Sequence, residues 1–350
     1  MRHKAILIVG LFSKQDDSKN VYRTAADQLA ELFRKNNIRI IKTSYHTGKL
    51  RRLADTMHTI FSKRTRYDLA VLPLYGTRPS FLWQEISARV LKFFHKKLIL
   101  IVHGGSIPER MQENAKPFMK ALLRADLVVC PSGFIQHVLK KYQIDSIVIE
   151  NVLGLSAYSF IQKNTFRPRI IWMRAFEDIY NPLMAVQVAY ILQKKLADFK
   201  MVMAGSNKGM LEETCAMIQE KNLQDIISLP GYISLEQKKQ FSIDYDIFIS
   251  TNNIDNAPVS LIEFMAMGLP VISTNVGGIS YLIEDNVNGF LVPQNDANAM
   301  AEKIIELVEN SETAIRIARN AYIFSRRFDE EIVFEKWLKE INFLNKNNHE

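Results

Sequence analysis

Asp255 and Glu263 stand eight residues apart in the segment DNAPVSLIEFMAMGLPVISTNVGGISYLIEDNVNGFLVP. Pro258, between them, suits the first position of a helix, where its missing N–H costs nothing. The amides that follow, on Val259 and Ser260, then lack a partner within the helix and lie at the positive end of its dipole. Such an end seats a phosphate. A carboxylate accepts two hydroxyl donors at once, which suits a vicinal diol. A phosphate seat flanked by two carboxylates meets the needs of a nucleotide-sugar.

The elements that must hold these groups follow from the alternation of apolar runs with amphipathic stretches. In the first half, strands are expected at 5–10, 38–43, 69–74, 98–103, 127–130 and 146–150, with helices at 20–35, 50–62, 80–94, 110–123 and 133–141. In the second half, strands are expected at 170–173, 201–204, 226–229, 247–250, 271–273 and 290–292. Helices are expected there at 181–194, 210–221, 235–242, 259–267, 297–325 and 330–342. Strands alternating with helices of this length predict parallel sheets covered on both faces. Two doubly wound domains in tandem place a ligand cleft at the carboxyl ends of their strands. The polar, irregular segment YSFIQKNTFRPR, residues 158–169, reads as the linker. The expected divisions are 1–160, 161–328 and a final helix within 329–350.

At 350 residues the chain exceeds one usual core, which agrees with two domains. A hydrophobic content of 47% with 23% charged residues is that of a soluble globular enzyme. No apolar run approaches the ~18 residues of a membrane span. The run at 5–12 is too short for a secretory signal and reads as a strand. Cys130 and Cys215 lie in apolar or helical patterns, which implies reduced thiols in a cytosolic compartment and neither a disulfide framework nor a zinc site.

Charge is unevenly placed. Residues 1–150 carry 26 Lys and Arg against 12 Asp and Glu, whereas the remaining 200 carry 19 against 25. The basic half favours anionic surfaces. Within it, LRRLADTMHTIFSKRTR at 50–66 combines Leu53, Met57, Ile60 and Phe61 with flanking Lys and Arg, a pattern suited either to an anionic membrane surface or to a core-packing helix with a solvated basic face. No nucleic-acid motif accompanies the charge, so nucleic acid is not expected as a partner.

The run from Asp255 to Pro293 resembles the donor-binding signature of the retaining glycosyltransferases of family 4, enzymes of the GT-B fold. In that family an acidic residue, seven residues and a Glu precede an A-M-A-x-G-x-P-V-I helix and strand. Glu263 falls on the second acid, and MAMGLPVI at 265–272 covers most of the rest. Val276-Gly277-Gly278-Ile279 and Asn288-Gly289-Phe290-Leu291-Val292 follow at the family's places. The resemblance is strong over 200–293 and loose over 1–150. It implies an α/β GT-B architecture: two doubly wound Rossmann-like domains facing each other across a cleft, with the last helix crossing back to the first domain.

The resemblance also assigns roles. Glu263 would hold the ribose hydroxyls of the donor, and Asp255, one methylene shorter than the family's Glu, the donor sugar. The Val259 and Ser260 amides, with the Ser260 hydroxyl, would meet the diphosphate; Pro258 replaces a family glycine and removes one donor there. Arg174 resembles the arginine of the G-R-x-x-x-x-K-G motif, whose planar guanidinium engages two phosphate oxygens and stabilises the leaving group. That motif's lysine is absent, with Ile179-Tyr180-Asn181 in its region; Lys208, in the loop AGSNKG opened by Gly205, is the candidate substitute. Tyr232 lies in Pro230-Gly231-Tyr232-Ile233, similar to the segment whose backbone holds the nucleobase.

His103, followed by Gly104 and Gly105, would sit near the junction of sugar and acceptor, orienting a hydroxyl or shuttling a proton near neutral pH. Lys19-Asn20 stand where the family carries a glycine pair beside the diphosphate. Asp244-Tyr245-Asp246 looks like the D-x-D metal motif of other glycosyltransferases, but it leads straight into IFIS and matches a structural segment of this family. No metal or cofactor is therefore expected.

The implied activity is transfer of a sugar from a UDP- or GDP-linked donor to a carbohydrate or lipid-linked acceptor, with retention. Such a reaction would serve cell-surface polysaccharide, lipopolysaccharide or glycolipid synthesis, in the cytoplasm or at the inner face of the membrane. The alternatives are a non-catalytic nucleotide-sugar-binding protein, motivated by the missing lysine and the shortened acid, and a GT-B sugar-nucleotide epimerase.

Overall fold

The computed structural model describes residues 4–13, 24–75, 78–103 and 107–346. The chain divides into two compact units, Met1–Val152 together with Glu330–Glu350, and Leu153–Asp329.

The first unit is built on six parallel strands: β1 (Ala5–Leu11), β2 (Ile40–Ser44), β3 (Tyr67–Tyr75), β4 (Lys97–His103), β5 (Leu127–Cys130) and β6 (Ile147–Val148), in the order β2-β1-β3-β4-β5-β6. Leu7, Ile8 and Val9, Ala70, Val71 and Leu72, and Leu98, Ile99 and Leu100 are fully buried. Continuous apolar runs of this kind mark strands covered on both faces. On one face lie α1 (Ala25–Lys35) and α12 (Glu330–Lys346), where Phe33 meets Trp337 edge-on at 5.8 Å. On the other lie α2 (Lys49–Ser62), α3 (Arg78–Phe93), α4 (Ile107–Leu122) and α5 (Gly133–Lys141). Lys35–Glu330 and Lys336–Glu150 ion pairs, at 2.8 and 2.5 Å, also tie α12 into this unit.

The helix expected at 50–62 forms, but its apolar stripe turns inward. Ile60 is fully buried, and Leu53 and Met57 pack against the same core; of the expected set only Phe61 stays exposed. The stripe goes where an amphipathic helix over a sheet must put it.

The second unit repeats the plan with β7 (Arg169–Met173), β8 (Lys200–Ala204), β9 (Ile227–Gly231), β10 (Ile247–Ser250), β11 (Val271–Thr274) and β12 (Phe290–Val292). Their order is β12-β11-β10-β7-β8-β9, all parallel. The helices α6 (Pro182–Leu192), α7 (Leu211–Glu220) and α10 (Ala297–Glu309) pack on one face. On the other, α9 (Val259–Ala266) packs with the end of α11 (Ser311–Ser325) and with Phe241 of α8 (Leu235–Asp244). The winding reverses between the neighbours β7 and β10, and such a reversal opens a crevice at the strands' carboxyl ends.

Three expectations need correction. The segment 158–169 is no free linker: Phe160 rests on Tyr322 at 4.6 Å, the Ile161 amide donates to the Met267 carbonyl, and Phe166 is buried in the core. Its polar residues find partners instead of solvent. Lys163 and Arg167 bind both oxygens of buried Asp246, at 2.5 and 2.8 Å, which gives the Asp244-Tyr245-Asp246 stretch a structural task. The single helix expected at 297–325 breaks at Asn310, which leaves helical geometry at φ −120° and caps α11 by accepting from the Thr313 amide. Pro258 is the N-cap of α9, one position ahead of the expected place, and Val259 opens the helix.

Candidate functional site

The crevice between β7 and β10 collects most of the residues singled out from the sequence. Arg174 follows β7, and its amide donates to the Ala204 carbonyl at 3.1 Å. Next to it the backbone of Gly205 approaches so closely that a Cβ there would overlap the Arg174 carbonyl. The Arg174 guanidinium pairs with the Asp255 carboxylate and lies 4.3 Å over the Tyr180 ring. Burial draws its pKa below the ordinary arginine value. Its Nε has no partner.

Asp255 is held from several sides. Asn252 Nδ2 and the Asn256 amide each donate to its carboxylate at 2.8 Å, and the Gly278 amide donates to its carbonyl at 2.7 Å. A Cβ on Gly277 or Gly278 would overlap the Asp255 and Asn256 carbonyls, so the glycine pair is what lets this turn close. Gly277 also sits at φ +55°, where L side chains are strained. The two residues assigned to diphosphate and sugar thus meet each other.

The start of α9 carries no side-chain cap. The amides of its first turn, Val259 and Ser260 among them, have no intrahelical partner by helix geometry. Ser260 is buried, and its Oγ has no hydrogen-bond partner. Ser250 Oγ, Asn252 Oδ1 and Arg174 Nε are likewise buried and unpartnered. All four atoms belong to residues at or just past the carboxyl ends of β7 and β10, or at the first turn of α9. Unpartnered buried polar atoms are uncommon, and four on one segment of the fold call for a polar ligand or water.

Glu263 lies in the second turn of α9 with both oxygens occupied. Tyr158 Oη donates to Oε1 at 2.5 Å, and Lys238 Nζ, from α8, donates to Oε2 at 2.7 Å. Burial, and next the Glu263 charge, push the Tyr158 hydroxyl above its ordinary range. Neither partner shows in a local sequence pattern. Lys238 is 25 residues and Tyr158 105 residues from Glu263, and each arrives from a different element. The faint available signal was the Ser234–Gln237 capping box, which fixes the start of the helix bearing Lys238.

The loops after β8 and β9 are tied together by the Gly205 amide, which donates to the Gly231 carbonyl at 2.8 Å. Exposed Lys208 is anchored by its amide to the Phe176 carbonyl at 3.0 Å, two residues beyond Arg174. Tyr232 is exposed directly after Gly231.

His103 belongs to the other unit, at the end of β4. It is buried, stacked on Tyr75 with ring centroids 5.7 Å apart. Burial pushes its pKa down to about 4. The imidazole is therefore neutral at neutral pH. Gly104, Gly105, Lys19 and Asn20 lie outside the described residues.

Residues 159–324 match the family model described as Glycosyl transferases group 1. The chain is 27% identical over 243 residues to the amylovoran biosynthesis glycosyltransferase AmsK of Erwinia amylovora, covering 65% of this chain and 59% of that protein. It is 31% identical over 159 residues to the poly(ribitol-phosphate) alpha-N-acetylglucosaminyltransferase of Staphylococcus aureus (strain COL), covering 45% of this chain and 32% of that protein. The chain thus spans between a third and three-fifths of these relatives' length. Among solved structures, Anabaena Alr3699/HepE in complex with UDP and glucose superposes with a TM-score of 0.72 at 18% identity, covering 97% of this chain and all of that one. The two Rossmann-like units are those of the GT-B fold, and residues 159–324 are similar to the Glycosyl transferases group 1 family.

Proposed function

We propose that this protein is a retaining glycosyltransferase of family 4, moving a sugar from a nucleotide-diphosphate donor to an acceptor hydroxyl in cell-surface polysaccharide, lipopolysaccharide or glycolipid synthesis. The carrying observation is the crevice at the β7/β10 reversal, which holds an uncapped helix start, Arg174 with its Nε unpartnered, and three further unpartnered polar atoms. The names of the relatives and the UDP and glucose of the HepE structure support the reading.

In this reading the first-turn amides of α9 and the Arg174 guanidinium receive the diphosphate and stabilise it as it departs. Arg174 is already aimed by Asp255, so its charge is positioned before the donor arrives. Asp255 offers its remaining acceptor capacity to sugar hydroxyls. Glu263 exchanges the Tyr158 or Lys238 hydrogen bond for the ribose diol, and Lys238, released, adds a cation near the nucleotide. The loops bearing Gly205, Lys208 and Tyr232 border the donor, and His103 offers a hydrogen bond without carrying charge. No metal is needed in this scheme, because cationic side chains and amides face the phosphates. The basic first unit works against an anionic membrane surface, where a lipid-linked acceptor resides.

One observation favours a second reading. Ile179 occupies the region of the family lysine, and Arg174 is partly neutralised by Asp255, as in a protein that binds the donor without turning it over. A thermal-shift panel of UDP- and GDP-sugars followed by product analysis decides. A donor that raises the melting temperature and is consumed, with the product anomer matching the donor's, supports the transferase. Tight binding with no turnover across acceptors selects the binder, and free sugar released without acceptor selects an epimerase.

A further inference from the structure

The layer of α2, α3 and α4 carries a surface that donor chemistry does not use. Its exposed apolar side chains are Leu50 and Phe61 on α2, Leu82 and Phe93 on α3, and Leu123 just past α4; Leu50, Phe93 and Leu123 are 84%, 76% and 70% exposed. Charge on this layer is net positive, although α4 holds Glu109 and Glu113 beside Arg110, Lys116 and Lys120. Residues 49–66 hold six Lys or Arg against one acidic residue, and residues 78–97 hold five against one. Across the same sheet, α12 carries four acidic and three basic residues.

Between α3 and α4 lies a groove of about 600 Å³ with Phe81, Pro117 and Met119 on its walls and Arg89, Lys116 and Lys120 on its rim. The charge of Glu85 within it is countered by Arg89 and Arg124, both on Oε1 at 2.9 and 2.7 Å, while its Oε2 is buried without a partner. Lys116 and Lys120 stand one turn apart with no carboxylate partner among the described residues. Like charges at this spacing repel, and an anion between them relieves the repulsion.

We propose that this face docks the chain on an anionic phospholipid bilayer. The groove takes one phosphate headgroup on Lys116 and Lys120 and the first carbons of its chain against Phe81, Pro117 and Met119. Protruding apolar side chains enter the interface while the surrounding Lys and Arg meet the anionic surface, the two contributions that hold monotopic proteins on membranes. The inference rests on the membrane-facing reading of the first unit and supplies its surface, which is not the inward stripe of α2.

Flotation of the full chain with vesicles of phosphatidylcholine alone, or mixed equally with phosphatidylglycerol, tests it. Binding is expected only to the mixed vesicles. Lys116→Glu with Lys120→Glu lowers it about tenfold or more. Leu123→Asp lowers it as well, and Lys339→Glu on α12 leaves it unchanged. Far-UV circular dichroism and melting of every variant show that the first unit, where the changes lie, is folded, and the melting shift produced by UDP reports on the second unit. Failure of the unaltered chain to bind mixed vesicles overturns the proposal, as does an equal loss from Lys339→Glu. Loss on charge reversal with none from Leu123→Asp also overturns it, since that describes a soluble polyanion site. Absence of a UDP shift in the unaltered chain strikes the donor reading alone.

Discussion

The two units are wound from the same material and differ in what stands past their strands. In the second, the strand ends and the α9 start hold an arginine, an aspartate and four buried polar atoms without partners. Among its described residues the first unit also holds four such atoms, but on its helices, at Arg52, Gln84, Glu85 and Arg110, and the residue singled out at a strand end is a histidine stacked on a tyrosine ring and held neutral. The comparison teaches that a doubly wound sheet supplies only a crevice. Its chemistry comes from a few residues after each strand and from whether they are left polar and unpartnered or stacked against a ring.

The sharpest break of this contrast comes from paired substitutions. Arg174→Ala should lower kcat/KM for donor turnover by about 100- to 1000-fold, the usual loss for removing one stabiliser of developing charge. His103→Asn should cost far less, about tenfold at most, the worth of one neutral hydrogen bond. A steady-state assay giving the reverse ranking would move the chemistry to the first unit.

A second test uses pH. The folded state holds His103 at about 4 against an ordinary 6.5, so between these values the unfolded chain binds more protons. Stability of the first unit should therefore fall as pH drops from 6.5 towards 4, by on the order of 3 kcal/mol, and be fully present above 6.5. Hydrogen exchange of the β3–β5 amides should show this slope, and His103→Gln should flatten it.

Glycines sharpen the comparison further. Gly205→Ala drives a Cβ into the Arg174 carbonyl and should destabilise the second unit by about 1–3 kcal/mol. Gly48→Ala, ahead of α2, meets nothing within 4 Å and should change melting by about 0.5 kcal/mol or less. An effect between these two is expected of Lys238→Met. It leaves Glu263 with Tyr158 alone, for a loss of about 1–2 kcal/mol by urea unfolding.

Much of the fold was legible in the amino-acid order. Strands at 127–130, 247–250 and 290–292 coincide with β5, β10 and β12, because short apolar runs between helices have one way to be buried on both faces. The break at Asn310 was not legible from periodicity, since apolar spacing continues on both sides and only the cap marks the turn. The segment 158–169 misled for a related reason. Its polarity suggested solvent, whereas Lys163 and Arg167 serve a buried carboxylate 79 residues or more away. In the site, Asp255, Ser260 and Glu263 were legible as one local motif, and the ion pair of Arg174 with Asp255 was not.

Sequence by itself determined the alternation of strands and helices, the glycines that let the 255–278 turn close, and the helix start at which amides point outward. These depend on backbone geometry and near neighbours, which local order encodes. Only tertiary structure decided that Arg174 and Asp255 neutralise each other, that Glu263 is held by Tyr158 and Lys238, that His103 is neutral and that the stripe of α2 faces inward. Each of these is a matter of burial or of charges brought together from distant positions. Desolvation and Coulomb energy depend on distance in space, and distance along the chain does not report it.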